Sequence, residues 1–189
     1  MRLIVWSILA LGLLLQGCAH APSPVQGMAT SMIEQSFVLN GRLAVNHRGQ
    51  RSSASVRWTY QPGNEEVLLM GPLGITLARI HQGPIVAVLE ADGQTYRARH
   101  LEGLMDRVLG WHLPVHELHA WAMGRPYDKT TFQAERDGQG RLLKLYQDGW
   151  EISYQRYRDE TPVSLPQRLT LRHDDLELQM VVDGWEALP

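Results

Sequence analysis

Apolar residues recur at every second position from Phe37. Phe37, Leu39, Leu43 and Val45 share one side, with Gly41 between them, while Asn40, Arg42 and Asn46 fall mostly on the other. That period predicts a strand with one dry face. After a turn at 47–50 the alternation resumes, with Ala54, Val56, Trp58 and Tyr60 set against Ser53, Ser55, Arg57 and Thr59. The two segments are therefore expected to form a hairpin, and Pro62-Gly63-Asn64 closes the next turn. Further strands are expected at 67–70 and 75–80, on either side of Gly71-Pro72-Leu73-Gly74. Two more follow at 85–89 and, past Asp92-Gly93, at 95–99. The first half reads as an antiparallel meander.

The period then changes. Leu101, Leu104, Met105, Val108 and Leu109 fall at i, i+3, i+4, i+7 and i+8, and Gly110 is placed to end the helix they predict. Pro114, at a first helical position, opens a second short helix with Val115, Leu118, Trp121 and Ala122 on one side, ending near Gly124. Strands resume at 131–135, 142–146 and 150–157, with Asp137-Gly138 and Asp148-Gly149 as hairpin turn signals. A last hairpin pairs 168–173 with 176–182 across Asp174-Asp175. About ten strands and two or three short helices in one domain imply a mainly β, α+β fold. Its core is a strongly curved antiparallel sheet, part sandwich or part barrel, with helices on the concave side and room for an apolar cavity.

The N-terminus follows other rules. One positive charge at Arg2, an apolar run from Leu3 to Leu15, and Leu15-Gln16-Gly17-Cys18 match a bacterial lipoprotein signal. The apolar run is shorter than the ~20 residues of a spanning helix. Residues 1–17 are thus expected to be removed, leaving Cys18 as a lipidated N-terminus. An ordinary secretory peptide with a chance cysteine is the alternative, and Gln16 is the less usual residue in its slot. Ala19-His20 follow the cysteine, where lipoproteins kept in the inner membrane usually show aspartate, so a lipid anchor on the periplasmic face of a Gram-negative outer membrane is expected. Residues 18–27, with Pro22, Ser23, Pro24 and Gly27, read as lipidated end and tether, and 28–189 as the folded domain, entered through a brief helix around Met28, Met32 and Ile33.

Composition narrows the possibilities. With 18 basic and 20 acidic residues and no Lys/Arg block, the electrostatic footprint of a nucleic-acid binder is missing. Cys18 is the single cysteine, so stability must come from packing. No Gly-x-Ser-x-Gly, Ser-x-x-Lys, phosphate-cradling glycine loop or paired-carboxylate pocket stands out, so neither catalytic residues nor a cofactor are expected. His112, His116 and His119 cluster around the second helix, but without a carboxylate–histidine motif they read as solvated side chains rather than metal ligands. Trp58, Trp111, Trp121, Trp150 and Trp185 suit a ligand site or a core. Leu73 at the tip of its turn has two possible fates: folding back onto the core, which is commoner for a loop leucine, or standing out into solvent.

In this order, several short segments resemble the LolB family. They are Phe37-Val38-Leu39-Asn40-Gly41-Arg42-Leu43-Ala44-Val45, the Pro72-Leu73-Gly74 loop, the helix from Leu101 with Trp121 beyond, Trp150-Glu151-Ile152-Ser153-Tyr154 with Tyr157, and 166–171 with Trp185. Each is short and mostly apolar; the likeness lies in their sequence order after a lipoprotein signal. The resemblance implies an incomplete barrel around a hydrophobic cavity, with helices as lid. It implies an outer-membrane protein that accepts triacylated lipoproteins from the periplasmic carrier LolA and inserts them into outer-membrane phospholipid, acting as a monomer. Leu73 would be the exposed, membrane-contacting leucine of the loop Gly71–Gly74. Phe37, Leu39, Leu43, Val56, Trp58, Leu104, Val108, Trp121, Trp150, Ile152 and Tyr154 are the candidates for acyl-chain cavity or core. Other classes remain open on the residues alone: a non-transporting envelope scaffold whose sheet binds a protein strand, and an envelope hydrolase, which would need a polar cluster in its cavity.

Overall fold

A computed structural model describes residues 36–109 and 112–188. The expectations for 1–17, Cys18, the tether and the helix around Met28, Met32 and Ile33 concern residues outside that range, as do those for Gly110 and Trp111. The first half is a run of six strands: β1 (Phe37–His47), β2 (Gln50–Gln61), β3 (Asn64–Met70), β4 (Thr76–Gln82), β5 (Ala87–Ala91) and β6 (Gln94–Ala98). Two helices follow, α1 (Leu101–Leu109) and α2 (Val115–Ala122). Five strands complete the chain: β7 (Phe132–Arg136), β8 (Leu142–Gln147), β9 (Trp150–Tyr157), β10 (Pro166–His173) and β11 (Leu176–Ala187).

All eleven strands belong to one antiparallel sheet, in the order β6-β5-β4-β3-β2-β1-β11-β10-β9-β8-β7. It is a single open sheet rather than a sandwich, with β6 and β7 as its edges. The expected hairpins pair as the alternation demands. Val56 lies opposite Gly41 and Trp58 opposite Leu39, and Leu171 lies opposite Leu178. Arg48-Gly49, Asp92-Gly93 and Asp148-Gly149 hold both central residues at positive φ, the requirement of the tight hairpin turn that matches strand twist.

The unexpected pairing joins the ends of the domain. β11 runs on to Ala187, beyond the expected stop at Val182, and Leu39 faces Trp185 across a register shift at Asn40/Gly41. Asp183 is the extra residue of that bulge, and its carboxylate accepts from Arg42 at 3.0 Å. The backbones approach closely here: a Cβ on Gly41 would stand 2.3 Å from the Val181 carbonyl oxygen. Glycine at 41 is thus a packing requirement of the β1–β11 seam.

Alternation gives the sheet a dry concave face, and the helices cover it. Leu101, Leu104 and Met105 of α1 are buried, as is the face of α2 carrying Val115, Ala120, Trp121 and Ala122. Pro114 caps α2 rather than occupying its first turn. Gly124, at φ 73°, ends the helix: its N–H donates to the Trp121 carbonyl and that of Arg125 to the Ala120 carbonyl. This stop turns the chain away just after Trp121 has been placed in the core.

Candidate functional site

The concave face is divided between a plug and a cavity. In the plug, Trp121 from α2 is fully buried and packs its ring 5.9 Å from that of Trp150. Its indole N–H donates to Gln147 Oε1 at 2.9 Å, and the Tyr154 hydroxyl donates to the Trp121 carbonyl at 3.0 Å. Ile152, Leu142, Leu145 and Leu169 are buried without exposure in this core. Phe37 and Leu39, also fully buried, bridge toward the other half; the Phe37 ring contacts Trp58, Tyr60, His119 and Trp185.

The other half encloses a cavity of about 230 Å³. Six adjacent strands contribute to it, among them Leu43 of β1, Val56 and Trp58 of β2, Ile80 of β4, Leu171 of β10 and Met180 of β11. One cavity touched by so many neighbouring strands requires the sheet to curve around it. Leu101 and Met105 of α1 and Val115 and Leu118 of α2 close it from above. Of the residues read as cavity or core, Leu43, Val56 and Trp58 line this space. Phe37, Leu39, Leu104, Trp121, Trp150, Ile152 and Tyr154 belong to the packed core, and Val108 packs partly buried against it.

The lining is apolar except for Ser52 and Glu65. Strand register sets these two near opposite ends, because Ser52 faces Val45 and Glu65 faces Tyr60, eight residues further along β2. The Val45 end is the more exposed. β3 runs from Glu65 toward that rim, and the loop Gly71–Gly74 projects from it beside Ser53, Ala54 and Ser55.

Leu73 is 100% exposed and sits in the left-handed region at φ 60°, ψ 17°. That conformation costs a branched side chain roughly 1–2 kcal/mol, and the leucine gains no packing in return. The turn is held by its own backbone: Gly71 N–H donates to the Ile75 carbonyl at 2.8 Å and Gly74 N–H to the Gly71 carbonyl at 3.2 Å. Ile75 and Leu77 are exposed beside it. A strained, apolar, solvent-facing tip is an outlier that points to function rather than stability.

Sequence reasoning did not single out Glu65, although the signal was present: it stands two residues before Val67 and four before Leu69 on the same face. Its proximity to the turn Pro62-Gly63 disguised it as a loop residue. Only 8% exposed, its carboxyl is pushed up to about 7 by burial; the nearby Trp58 indole works against this, and Glu102 of α1 adds to it. The indole approaches without completing a hydrogen bond, since Trp58 Nε1 and Glu65 Oε1 are both buried with no partner among the described residues. On α2, His119 stacks on Tyr60 at 3.9 Å, and burial, with Arg125 nearby, pulls its imidazole down to about 4. His116, one turn earlier, faces Glu102 at 3.8 Å instead. The described residues hold no group of three or more metal-ligating side chains.

These two titrations oppose each other. The fold favours protonated Glu65, so its contribution of roughly 3 kcal/mol is present below pH 4.5 and is lost as pH rises toward 7. The fold favours neutral His119, so stability is gained as pH rises from 4 to 6.5. Between pH 4.5 and 6.5 the wild-type stability curve is therefore expected to be flatter than that of either variant. Glu65→Gln should leave a curve that rises with pH, and His119→Phe one that falls. Urea unfolding at half-unit pH steps checks this; parallel curves for all three chains would remove the assignment.

An open, curved antiparallel sheet, half plugged by a helix and half left as an apolar cavity, defines a binding protein for apolar ligands. Comparisons with known proteins identify the family. The sequence model of the family described as "Outer membrane lipoprotein LolB" matches residues 35–185. An outer-membrane lipoprotein LolB from Nitrosomonas europaea is 33% identical, covering 95% of this chain and 91% of that protein. Another from Dechloromonas aromatica is 34% identical, covering 97% and 98%. In fold, the chain is similar to a LolA superfamily protein from Nitrosomonas europaea, with a TM-score of 0.54 at 9% identity over 85% of this chain and 94% of that one. The chain belongs to the LolB family.

Proposed function

We propose that this chain is a lipoprotein acceptor of the outer membrane: it takes triacylated lipoproteins from the carrier LolA, holds their acyl chains in the cavity and inserts them into outer-membrane phospholipid. The carrying observation is spatial. β3 lines the apolar cavity with Val67 and Leu69 and runs directly into the loop that carries the strained, fully exposed Leu73, so the residue suited to entering a bilayer stands four positions beyond the cavity wall, at the end of β3 away from the covered Glu65.

Acyl chains crossing water lose about 0.8 kcal/mol per exposed methylene, so transfer must run from one apolar enclosure directly into another. Direction follows from affinity, weakest in the carrier, tighter here and tightest in the bilayer. At about 230 Å³ the cavity falls below the ~300–1,000 Å³ of drug-sized ligand pockets. Cargo entry therefore requires the cavity to widen. Cys18, lipidated, keeps the domain at the membrane; cavity and loop perform the transfer without a cofactor, as a monomer.

The test mixes purified full chain with LolA loaded with a fluorescent lipoprotein and follows the label. The cargo is expected to pass to this chain without added nucleotide. Cargo that stays on the carrier, with both proteins folded, overturns the reading.

A further inference from the structure

A carboxyl group is an odd lining for a cavity whose ligand would be hydrocarbon. Glu65 is more than nine-tenths buried, lines the cavity at its covered end, and leaves Oε1 without a partner; Trp58 Nε1, also on the lining, is in the same state. A better-adapted hydrocarbon site would carry leucine here, as β3 does at Leu69.

We propose that Glu65 limits the affinity of the cavity for acyl chains, so that cargo captured from the carrier is released to the bilayer. This rests on the acyl-carrier reading above. A chain that fills the cavity to its covered end meets the carboxyl with methylenes, which offer no hydrogen bond, and excludes water from it. Leaving a buried polar group unsatisfied is costly, more so for an ion. Part of that penalty is already present in the empty fold, where Oε1 is buried without a partner; a chain that fills the cavity to this depth adds to it by removing what water still reaches the carboxyl. The added cost weakens the bound state, and the difference appears as faster release.

The groups nearest Glu65 are Trp58 and Tyr60 on β2, Gln82 opposite it on β4 with His81 beside, and Glu102 on α1; further out on the α2 side, His119 stacks on Tyr60 with Arg125 nearby, and His116 faces Glu102. None supplies a fixed cation to the carboxylate; Glu102 raises its proton affinity. The neutral acid is cheaper to bury than the ion, so filling the cavity is coupled to proton uptake at Glu65. Acyl binding should tighten as pH falls from 8 to 6.

The probe is a fluorescent dipalmitoylglyceryl-cysteine peptide, titrated into the full chain at pH 6, 7 and 8 and then chased into phosphatidylethanolamine–phosphatidylglycerol vesicles. Glu65→Leu is expected to bind it about tenfold more tightly and to release it correspondingly more slowly. Wild type should tighten several-fold from pH 8 to pH 6, and Glu65→Gln, which cannot ionise, should not. The isosteric glutamine variant carries the test if the leucine variant fails to fold. Weaker binding by Glu65→Leu would make the carboxyl an anchor, and a pH response unchanged in both variants would show that it is not the titrating group; either result overturns the proposal while leaving the acyl-carrier reading intact. Absence of peptide binding by wild type at every pH would instead remove that reading, and the role of Glu65 with it.

Discussion

Replacing Leu73 by glutamate is expected to slow insertion of cargo into vesicles about a hundredfold while leaving its uptake from the carrier unchanged. The expectation rests on what Leu73 does not touch. Fully exposed, it contributes no packing that the substitution could remove, and the turn is closed by backbone hydrogen bonds that any residue can make. Folding stability should therefore be unaltered. In lipid the balance differs: entry of a leucine side chain is worth about 1.5–3 kcal/mol, and a carboxylate in hydrocarbon carries a penalty of similar size. Partial rescue by Ile75 and by headgroup contact keeps the estimate to two decades rather than four. Stopped-flow transfer to vesicles reads the rate, and urea unfolding checks the fold. Release at the wild-type rate would exclude Leu73 as the insertion device.

Gln147→Leu should cost about 4 kcal/mol, a large share of the ~5–15 kcal/mol that holds a domain together. Gln147 is 2% exposed and fixes three segments at once. Its Oε1 accepts from the Trp121 indole and from Tyr127 N–H, each at 2.9 Å, and its amide nitrogen donates to the Tyr127 carbonyl at 2.7 Å and to Thr130 Oγ1 at 2.9 Å. Leucine fills the volume but orphans the indole N–H beneath α2 and unpins the chain leading to β7. The cost is the desolvation of those groups, not lost contact area. A fall in urea midpoint, with quenching changes confined to Trp121 and Trp150, is the expected result; a loss below 1 kcal/mol would show that water replaces the amide.

Most of the sheet was legible because a half-buried strand writes its burial into alternate residues. The strand at 150–157 and both helices follow directly from period, and the turn pairs at Asp92-Gly93 and Asp148-Gly149 announce their own geometry. What alternation cannot encode is partnership between distant strands. Nothing in Phe37–His47 says that its second neighbour is the last strand, and the extension of β11 past Val182 hides behind a bulge that shifts the pattern by one residue. β7, expected at 131–135, is found one residue on; exposed along its whole length, it has its register set by hydrogen bonds to β8 rather than by burial. The site was legible in the same uneven way. Leu73 stood out by residue type in a turn, yet its exposure depends on a left-handed backbone that sequence does not reveal. Division of the apolar residues between plug and cavity depends on where α2 stops, set by Gly124. Glu65 and Gln147 look like surface residues until the register places them inside.

The seam between β1 and β11 has a consequence for how the chain is made. The two strands are separated by nearly the whole domain, so the central pairing of the sheet cannot form until residues 176–187 have been delivered. Closing so long a loop is entropically costly, so this one non-local pairing, in a sheet otherwise built of consecutive hairpins, is expected to form last. A polypeptide made amino end first can form its local hairpins early, but it commits to its final shape only when the carboxyl end arrives.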